Sequence, residues 1–246
     1  MYRRYNGGMP HFSAPQQRAI DALARDLDET FAARLRSLVV YAGHQGDGSV
    51  HSCAIVDGLA FRDLVACLPM TENWHQRGIA VPLMLASGEF ERTVDVFPLE
   101  YSSIVADYTV VRGQDPFKGI TIPREDIRRA TEGQAKSHLI HLREAFLESH
   151  GETTRISRLI AASSAPLRAL LTNIARLDEA APGATPGDEA LAEMAKTRIG
   201  VPATLIRDIL GSSTTGHSAI ADPSALLAHY VDAARKIWEY VDRWNS

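Results

Sequence analysis

The apolar residues change their spacing near residue 118, and this change constrains the fold more than any other feature of the sequence. Before residue 118, short apolar runs separated by turn residues predict five strands, at 38–41, 50–56, 81–86, 94–101 and 108–111. Helical spacing predicts helices at 15–36, 59–68 and 87–92. A small mixed sheet with flanking helices, of the α+β or α/β class, is therefore expected in the first half of the chain.

After residue 118 only helical spacing remains. Pro123 fits the first position of a long helix, and its apolar stripe continues until Gly151. Further helices are predicted at 153–163, 165–179, 188–198, 202–210 and 223–244. We therefore expect an N-terminal arm at 1–14, an α/β domain at 15–118 and an all-α helical bundle at 119–246.

The composition narrows the classes of function. The 246 residues are 45% hydrophobic and carry a formal net charge of -4, which is typical of a globular protein and gives no strong signal for nucleic-acid binding. No apolar stretch reaches membrane-spanning length, and the N-terminus lacks the apolar core of a secretory signal. Cys53 and Cys67 are predicted to be buried, reduced thiols. These observations favour a cytoplasmic protein with no membrane partner.

The strand at 38–41, the small-residue turn Ala42-Gly43 and the strand at 50–56 resemble the nucleotidyltransferase superfamily. The motifs in 95–101, 113–117 and 139–148 are also similar to uncharacterised bacterial proteins of nucleotidyltransferase-like type. The resemblance covers roughly residues 15–150. It implies a Gly-Ser pair after the first strand, Asp-x-Asp on the second and a third carboxylate on a later strand. Paired carboxylates on one strand face would hold the divalent metal that neutralises a nucleoside triphosphate.

The metal-binding positions of that pattern are altered in this chain. Cys53 and Ile55 stand where the two aspartates are expected, and the third carboxylate falls at Glu100 on the predicted strand 94–101. A thiol is a poor ligand for Mg²⁺ and isoleucine is not a ligand. The resemblance thus implies a degenerate active site with no metal and no cofactor. The expected role is non-catalytic binding of a ligand, such as a nucleotide, or of a protein partner that could be a second copy.

The resemblance also suggests where a ligand would bind. The Gly-Ser position falls at Ala42-Gly43 or Gly43-His44, and the later glycine at Gly46 or Gly48. The resulting ligand-binding candidates are Gly43, His44, Gly46, Asp47 and Ser52.

Two other functions remain open. An active, Mg²⁺-dependent nucleotidyltransferase could use Glu100 with relocated ligands chosen from Asp95, Asp47 and Asp57. Two further carboxylate pairs have the required spacing, but helical positions favour solvated or capping roles for Asp26, Asp28, Glu89 and Glu91. Alternatively, the chain is a structural subunit of a larger assembly. At least one of the C-terminal aromatic residues is then expected to be exposed, from the set Trp238, Tyr240 and Trp244.

Histidines on the long helix provide a weaker signal. His138 and His141 could face one another above Glu144 and Glu148, but no matching pair is found on another helix. We expect His138 to border the buried stripe and His141 to be solvated. Arg143 and His150 match the loose motif of helical ribonuclease domains, which is too short to predict nuclease activity.

Overall fold

The computed structural model describes residues 12–42, 49–178, 186–215 and 220–244. The chain divides into two compact units, Met1–Ile122 and Pro123–Ser246. The predicted arm lies mostly outside the described residues. The first helix begins at Ala14, where the Ser13 hydroxyl accepts a hydrogen bond from the Gln16 backbone N–H and the Gln16 side chain accepts one from the Ser13 N–H.

The first unit alternates helices and strands. Its helices are α1 (Ala14–Phe31), α2 (Phe61–Gln76), α3 (Ser87–Thr93) and α4 (Pro98–Ala106), and a 3₁₀ turn at Ala32–Arg34 follows α1. Its strands are β1 (Leu35–Ala42), β2 (Val50–Val56), β3 (Leu83–Ala86) and β4 (Tyr108–Gly113).

The four strands form one mixed sheet in the order β3-β2-β1-β4. β1 pairs antiparallel with both β2 and β4, whereas β3 runs parallel to β2. The α2 crossover makes this parallel pairing possible, because parallel strands cannot be joined by a tight turn. The prediction of a small mixed sheet in a mixed α and β protein is confirmed.

Both faces of the sheet are covered by apolar residues. Alternation along the strands directs Leu38 and Val40 towards α1 and α2 on one side, and Val39 towards α3 and α4 on the other. We call these the α1/α2 face and the α3/α4 face. The buried residues of α1 on the first face are Ala19, Ile20, Leu23, Ala24, Leu27 and Phe31.

Gly113 is required by the backbone at the end of β4. Its φ is +71°, in the left-handed region that favours glycine, and a Cβ atom there would overlap the carbonyl oxygen of Arg36 on β1. The glycine in the motif at 113–117 is therefore a requirement of strand packing.

The predicted strand at 94–101 is wrong. Its first residues form a turn after α3, and α4 begins at Pro98. Proline has no N–H to donate to a strand ladder, but it is well suited to the first turn of a helix. Glu100 therefore lies in the first turn of α4 and not on a strand.

Other element boundaries also differ from those predicted. α1 ends at Phe31 instead of residue 36, because Ala32 takes a positive φ of 48° before the 3₁₀ turn. α2 continues eight residues past its predicted end at residue 68, and β3 begins at Leu83 instead of residue 81.

In its described residues, the second unit contains only helices. These are α5 (Arg124–Glu148), α6 (Thr153–Asp178), α7 (Asp188–Met194), a π-helical turn (Ala195–Ile199), α8 (Ala203–Thr215) and α9 (Pro223–Asp242). The two helices predicted at 153–163 and 165–179 are one helix, α6, which continues through Pro166. Every one of these helices contributes to one apolar core, which includes Leu139, Leu171 and Ile237.

A helix that crosses a membrane must be both long and apolar. Within the described parts of the chain, none combines the length and the apolar character needed to cross a bilayer.

Candidate functional site

Cys53 and Ile55 lie side by side on the α3/α4 face of β2. Their exposed fractions are 0% and 4%. The residues that bury them are apolar or aromatic and come from β1, α3, α4 and the segment after β4, namely Val39, Phe90, Tyr101, Ile104 and Phe117. Burial raises the pKa of the Cys53 thiol to about 12, so the thiol stays protonated at neutral pH.

Aromatic rings fill the space above these two residues. The centre of the Phe90 ring lies 5.5 Å from the centre of the Phe117 ring and 5.8 Å from the centre of the Tyr101 ring, and both pairs pack edge to face. Tyr108 contacts Phe117 in the same manner at 5.1 Å. Such edge-to-face pairs stabilise an apolar core. Neither Cys53 nor Ile55 suits Mg²⁺, and this packing provides an apolar environment where the metal ion would need oxygen ligands.

Glu100 is exposed at the start of α4, on the same side of the sheet. Burial is the main cause that raises the pKa of Tyr41 to about 12, and the charge of Glu100 contributes to the same shift. The carboxylate therefore lies within electrostatic range of the end of β1.

A row of three rings crosses the sheet at that end. His51 on β2 and Tyr108 on β4 are both register partners of Tyr41, so all three project on the α3/α4 face. The Tyr41 and His51 rings are 5.8 Å apart. The Tyr108 hydroxyl donates to Asp115 Oδ1 at 2.8 Å. We call Tyr41, His51, Tyr108 and Asp115 the polar edge.

The polar edge is only partly exposed. Its three rings are each partly exposed, and Asp115 Oδ2 is buried without a hydrogen-bond partner among the described residues. Within the described residues, no group of three His, Cys, Asp or Glu side chains is arranged to hold a metal ion.

Of the predicted ligand-binding residues, only Ser52 lies within the part of the chain that the structure describes. Gly43, His44, Gly46 and Asp47 lie outside the described residues. Ser52 is 2% exposed, and strand alternation places it on the α1/α2 face, opposite Cys53. Its hydroxyl has no hydrogen-bond partner in the described part of the chain.

The alternative carboxylates have structural partners. Asp26 accepts a hydrogen bond from the Trp74 indole at 2.8 Å, which ties α1 to α2. Asp28, which is partly exposed as expected, forms an ion pair with Arg112 at 2.8 Å. Asp57 forms an ion pair with Arg36. The Glu89 carboxylate accepts a hydrogen bond from the Ala86 backbone N–H. Asp95 is exposed.

A basic cleft lies between α1 and the end of α2. It has a volume of about 610 Å³, and Arg18, Arg25 and Arg77 line it together with one acid, Asp21. The Asp21 carboxylate already accepts a hydrogen bond from Gln17 at 3.1 Å. The apolar and charge patterns described above do not predict this cleft. The available signal was the seven-residue spacing of Arg18 and Arg25, which places both on one side of a helix.

The histidines of α5 have the expected surroundings. His138 Nε2 and the Tyr230 hydroxyl form a hydrogen bond of 2.7 Å. Burial, assisted by the charge of His141, lowers the pKa of His138 to about 4. His141 is exposed, as is His150 beyond the end of α5.

The C-terminal aromatic residues do not form an exposed surface. Trp238, Tyr240 and Trp244 are all partly buried against the core of the second unit, which contradicts the expectation that at least one is exposed. The Lys136 ammonium lies 3.4 Å from the centre of the Trp238 ring, a cation–π contact on its open side. Lys136 lies on α5, so the contact to Trp238 comes from another part of the sequence, which the spacing of the three aromatic residues could not reveal.

No protein-family model matches the chain, and no curated protein matches it either. The resemblance to nucleotidyltransferases therefore depends on the motifs in the sequence alone.

Proposed function

We propose that this chain is a nucleotidyltransferase-like protein with a C-terminal helical bundle, and that it acts by binding a partner or ligand without metal-dependent transfer. The burial of Cys53 and Ile55 beneath Phe90, Tyr101 and Phe117 carries this proposal. The positions that would bind metal in an active enzyme are part of an apolar core here.

The chemistry of nucleotidyl transfer explains why this observation matters. Transfer requires divalent cations that neutralise the triphosphate, and these cations require oxygen ligands at an open face. A charged group placed beneath the aromatic rings would lose its hydration without gaining an ionic partner. The residues present do not fit a magnesium site, so a binding role is the better explanation of this face.

Calorimetric titration with ATP, GTP, CTP and UTP, each with and without Mg²⁺, tests the loss of metal-dependent chemistry. We expect Mg²⁺ to produce no increase in affinity and no nucleotidyl transfer to occur. Glu100→Ala should behave like the unaltered protein, and Glu144→Ala, an exposed carboxylate on α5, is the matched control. Mg²⁺-dependent binding that Glu100→Ala abolishes would establish an active enzyme with relocated ligands and overturn the proposal.

The basic cleft supports a second candidate role, the binding of a ligand that carries phosphate groups. Arg18, Arg25 and Arg77 give its walls an excess of positive charge over Asp21. Guanidinium groups bind phosphate oxygens through charge-assisted hydrogen bonds. This role needs no metal ion, because the arginines themselves supply the positive charge.

Titration with inorganic pyrophosphate in the presence of EDTA tests this role. We expect binding that weakens as the salt concentration rises, and the double substitution Arg18→Glu with Arg25→Glu should reduce affinity at least about tenfold. Arg92→Glu, which alters an exposed arginine on α3, should leave affinity unchanged. Failure to detect binding at about 1 mM pyrophosphate would rule out this role.

A further inference from the structure

A second cleft lies between α8 and α9, within the second unit. Its volume is about 440 Å³, in the range of pockets that bind small molecules. The floor of the cleft is apolar and consists of Val201, Leu205, Leu226 and Ala233, which belong to the core of the second unit or pack against it. An apolar floor beneath a few polar groups is the usual construction of a ligand-binding site.

The two helices run antiparallel along this cleft. Asp208 and Leu226 line it, and they also line a neighbouring cleft together with later residues of α8 and the residues just before α9. This end of the α8/α9 cleft therefore holds Asp208. The first turn of α8 must lie at the other end, beside the second half of α9, where Thr204 and Lys236 line the cleft.

Opposite charges thus lie at the two ends of the cleft. Asp208 and Lys236 are both exposed, and neither forms an ion pair or a side-chain hydrogen bond with any residue that the structure describes. The other fully charged groups of the rim have partners, since Arg235 contacts Glu239 at 2.9 Å and Asp232 at 3.8 Å. The cleft therefore offers one acid and one base to a ligand.

The beginning of α8 adds a second group that favours an anion at the Lys236 end. The N–H groups in the first turn of a helix have no partner within the helix. Pro202 precedes α8 and has no side-chain oxygen that could cap it. A carboxylate at this end would accept hydrogen bonds from the first turn at Thr204 and from Lys236. At the other end, Asp208 would accept hydrogen bonds from an ammonium group.

The spacing of these groups indicates the length of the ligand. Along the helix axes, Asp208 lies about 6 Å from Thr204 on α8, and Leu226 lies about 15 Å from Lys236 on α9. A ligand that reaches both charges therefore spans about 10 Å, which is the length of three extended residues. We propose that the α8/α9 cleft binds a short apolar peptide with free termini, its amino group at Asp208 and its carboxylate at Lys236.

This inference goes beyond the role proposed for the first unit and does not depend on it. The apolar side chains of the peptide pack against Leu205, Leu226 and Ala233, and the exposed His229 on the rim can form a hydrogen bond with a peptide group.

Titration of the full chain with the tripeptide Ala-Leu-Ala, followed by amide chemical shifts, tests the site. We expect saturable binding with half-saturation below about 1 mM, with the largest shifts in α8 and α9. The N-acetylated and the C-amidated tripeptides each lack one charge, so each should bind at least about tenfold more weakly.

Two substitutions test which charge binds which terminus. Asp208→Asn should weaken the free tripeptide at least about tenfold and leave the affinity for the N-acetylated form unchanged. Lys236→Gln should do the same for the C-amidated form. Asp242→Asn, an exposed acid on α9 outside the cleft, is the matched control. All three positions are exposed, so the variants should keep their helical circular dichroism.

Three outcomes would overturn the inference. They are no saturation up to about 10 mM tripeptide, equal binding of the free and blocked peptides, and an Asp208→Asn variant that weakens the free and N-acetylated forms equally. None of them would alter the nucleotide or pyrophosphate titrations, so failure of this site can be distinguished from failure of the proposed function.

Discussion

Replacing Cys53 with aspartate is expected to destabilise the first unit by about 3–5 kcal/mol instead of creating a magnesium site. The new carboxylate would be buried against Val39, Phe90 and Phe117, and none of these side chains carries a charge or a hydrogen-bond donor to compensate it. Urea unfolding with and without Mg²⁺ measures this effect. The destabilisation should be the same in both conditions, because the neighbouring residues supply no second ligand.

Cys53→Ala is the matched control for this experiment. It removes the thiol without introducing a charge, so it should destabilise the protein by only about 1–2 kcal/mol through lost packing. If the aspartate variant were as stable as the alanine variant, or if Mg²⁺ restored its stability, the α3/α4 face would be accessible to metal. The argument for a non-catalytic role would then fail.

The second unit is expected to lose about 3 kcal/mol of stability between pH 6.5 and pH 4 because of His138 alone. Its folded-state pKa is about 4, against the ordinary value of 6.5, because burial disfavours the charged imidazole. As the pH falls below 6.5, the unfolded chain binds this proton before the folded chain does, and unfolding becomes more favourable. The contribution of His138 is complete above pH 6.5 and is lost progressively as the pH falls towards 4.

The free energy of unfolding, measured at several pH values, checks this expectation. His138→Gln should reduce the dependence on pH by up to about 1.4 kcal/mol per pH unit in this range, whatever its effect at neutral pH. His141→Gln removes the neighbouring charge on the same helix, and most of the dependence on pH should remain because burial is the main cause of the His138 shift. An imidazole resonance of His138 that titrates near 6.5 in the folded protein would contradict the prediction.

Apolar patterns predicted those elements whose ends coincide with changes in the pattern. The strand at 50–56 begins and ends as expected, because Asp47-Gly48-Ser49 precedes it and Asp57-Gly58 follows it. The run at 94–101 was wrongly predicted to be a strand because its apolar residues have no clear period. Pro98 begins a helix as readily as it ends a strand. α6 continues through Pro166 because helices in the same core pack against both of its halves, and sequence spacing does not contain those contacts.

Only the part of the candidate site that lies on β2 could be predicted from the sequence. Strand alternation predicts that Cys53 and Ile55 share a face, and both lie in the same apolar cluster. The covering residues Phe90, Tyr101 and Phe117 are distant in sequence, and only the tertiary structure brings them over β2. The exposed apolar side of α2, which includes Phe61 and Leu68, could not be predicted for a related reason, because deciding which of two apolar sides of a helix is buried requires knowledge of the packing partner.

The positions of the two cysteines give this chain a pair of internal reporters. Cys53 lies on the α3/α4 face, Cys67 on α2 packs into the core of the opposite face, and the sequence contains no other cysteine. Both thiols are buried, so a reagent can reach each one only when its own layer opens. The rates at which the two thiols react therefore report the local opening of each side of the sheet separately, without any engineered label.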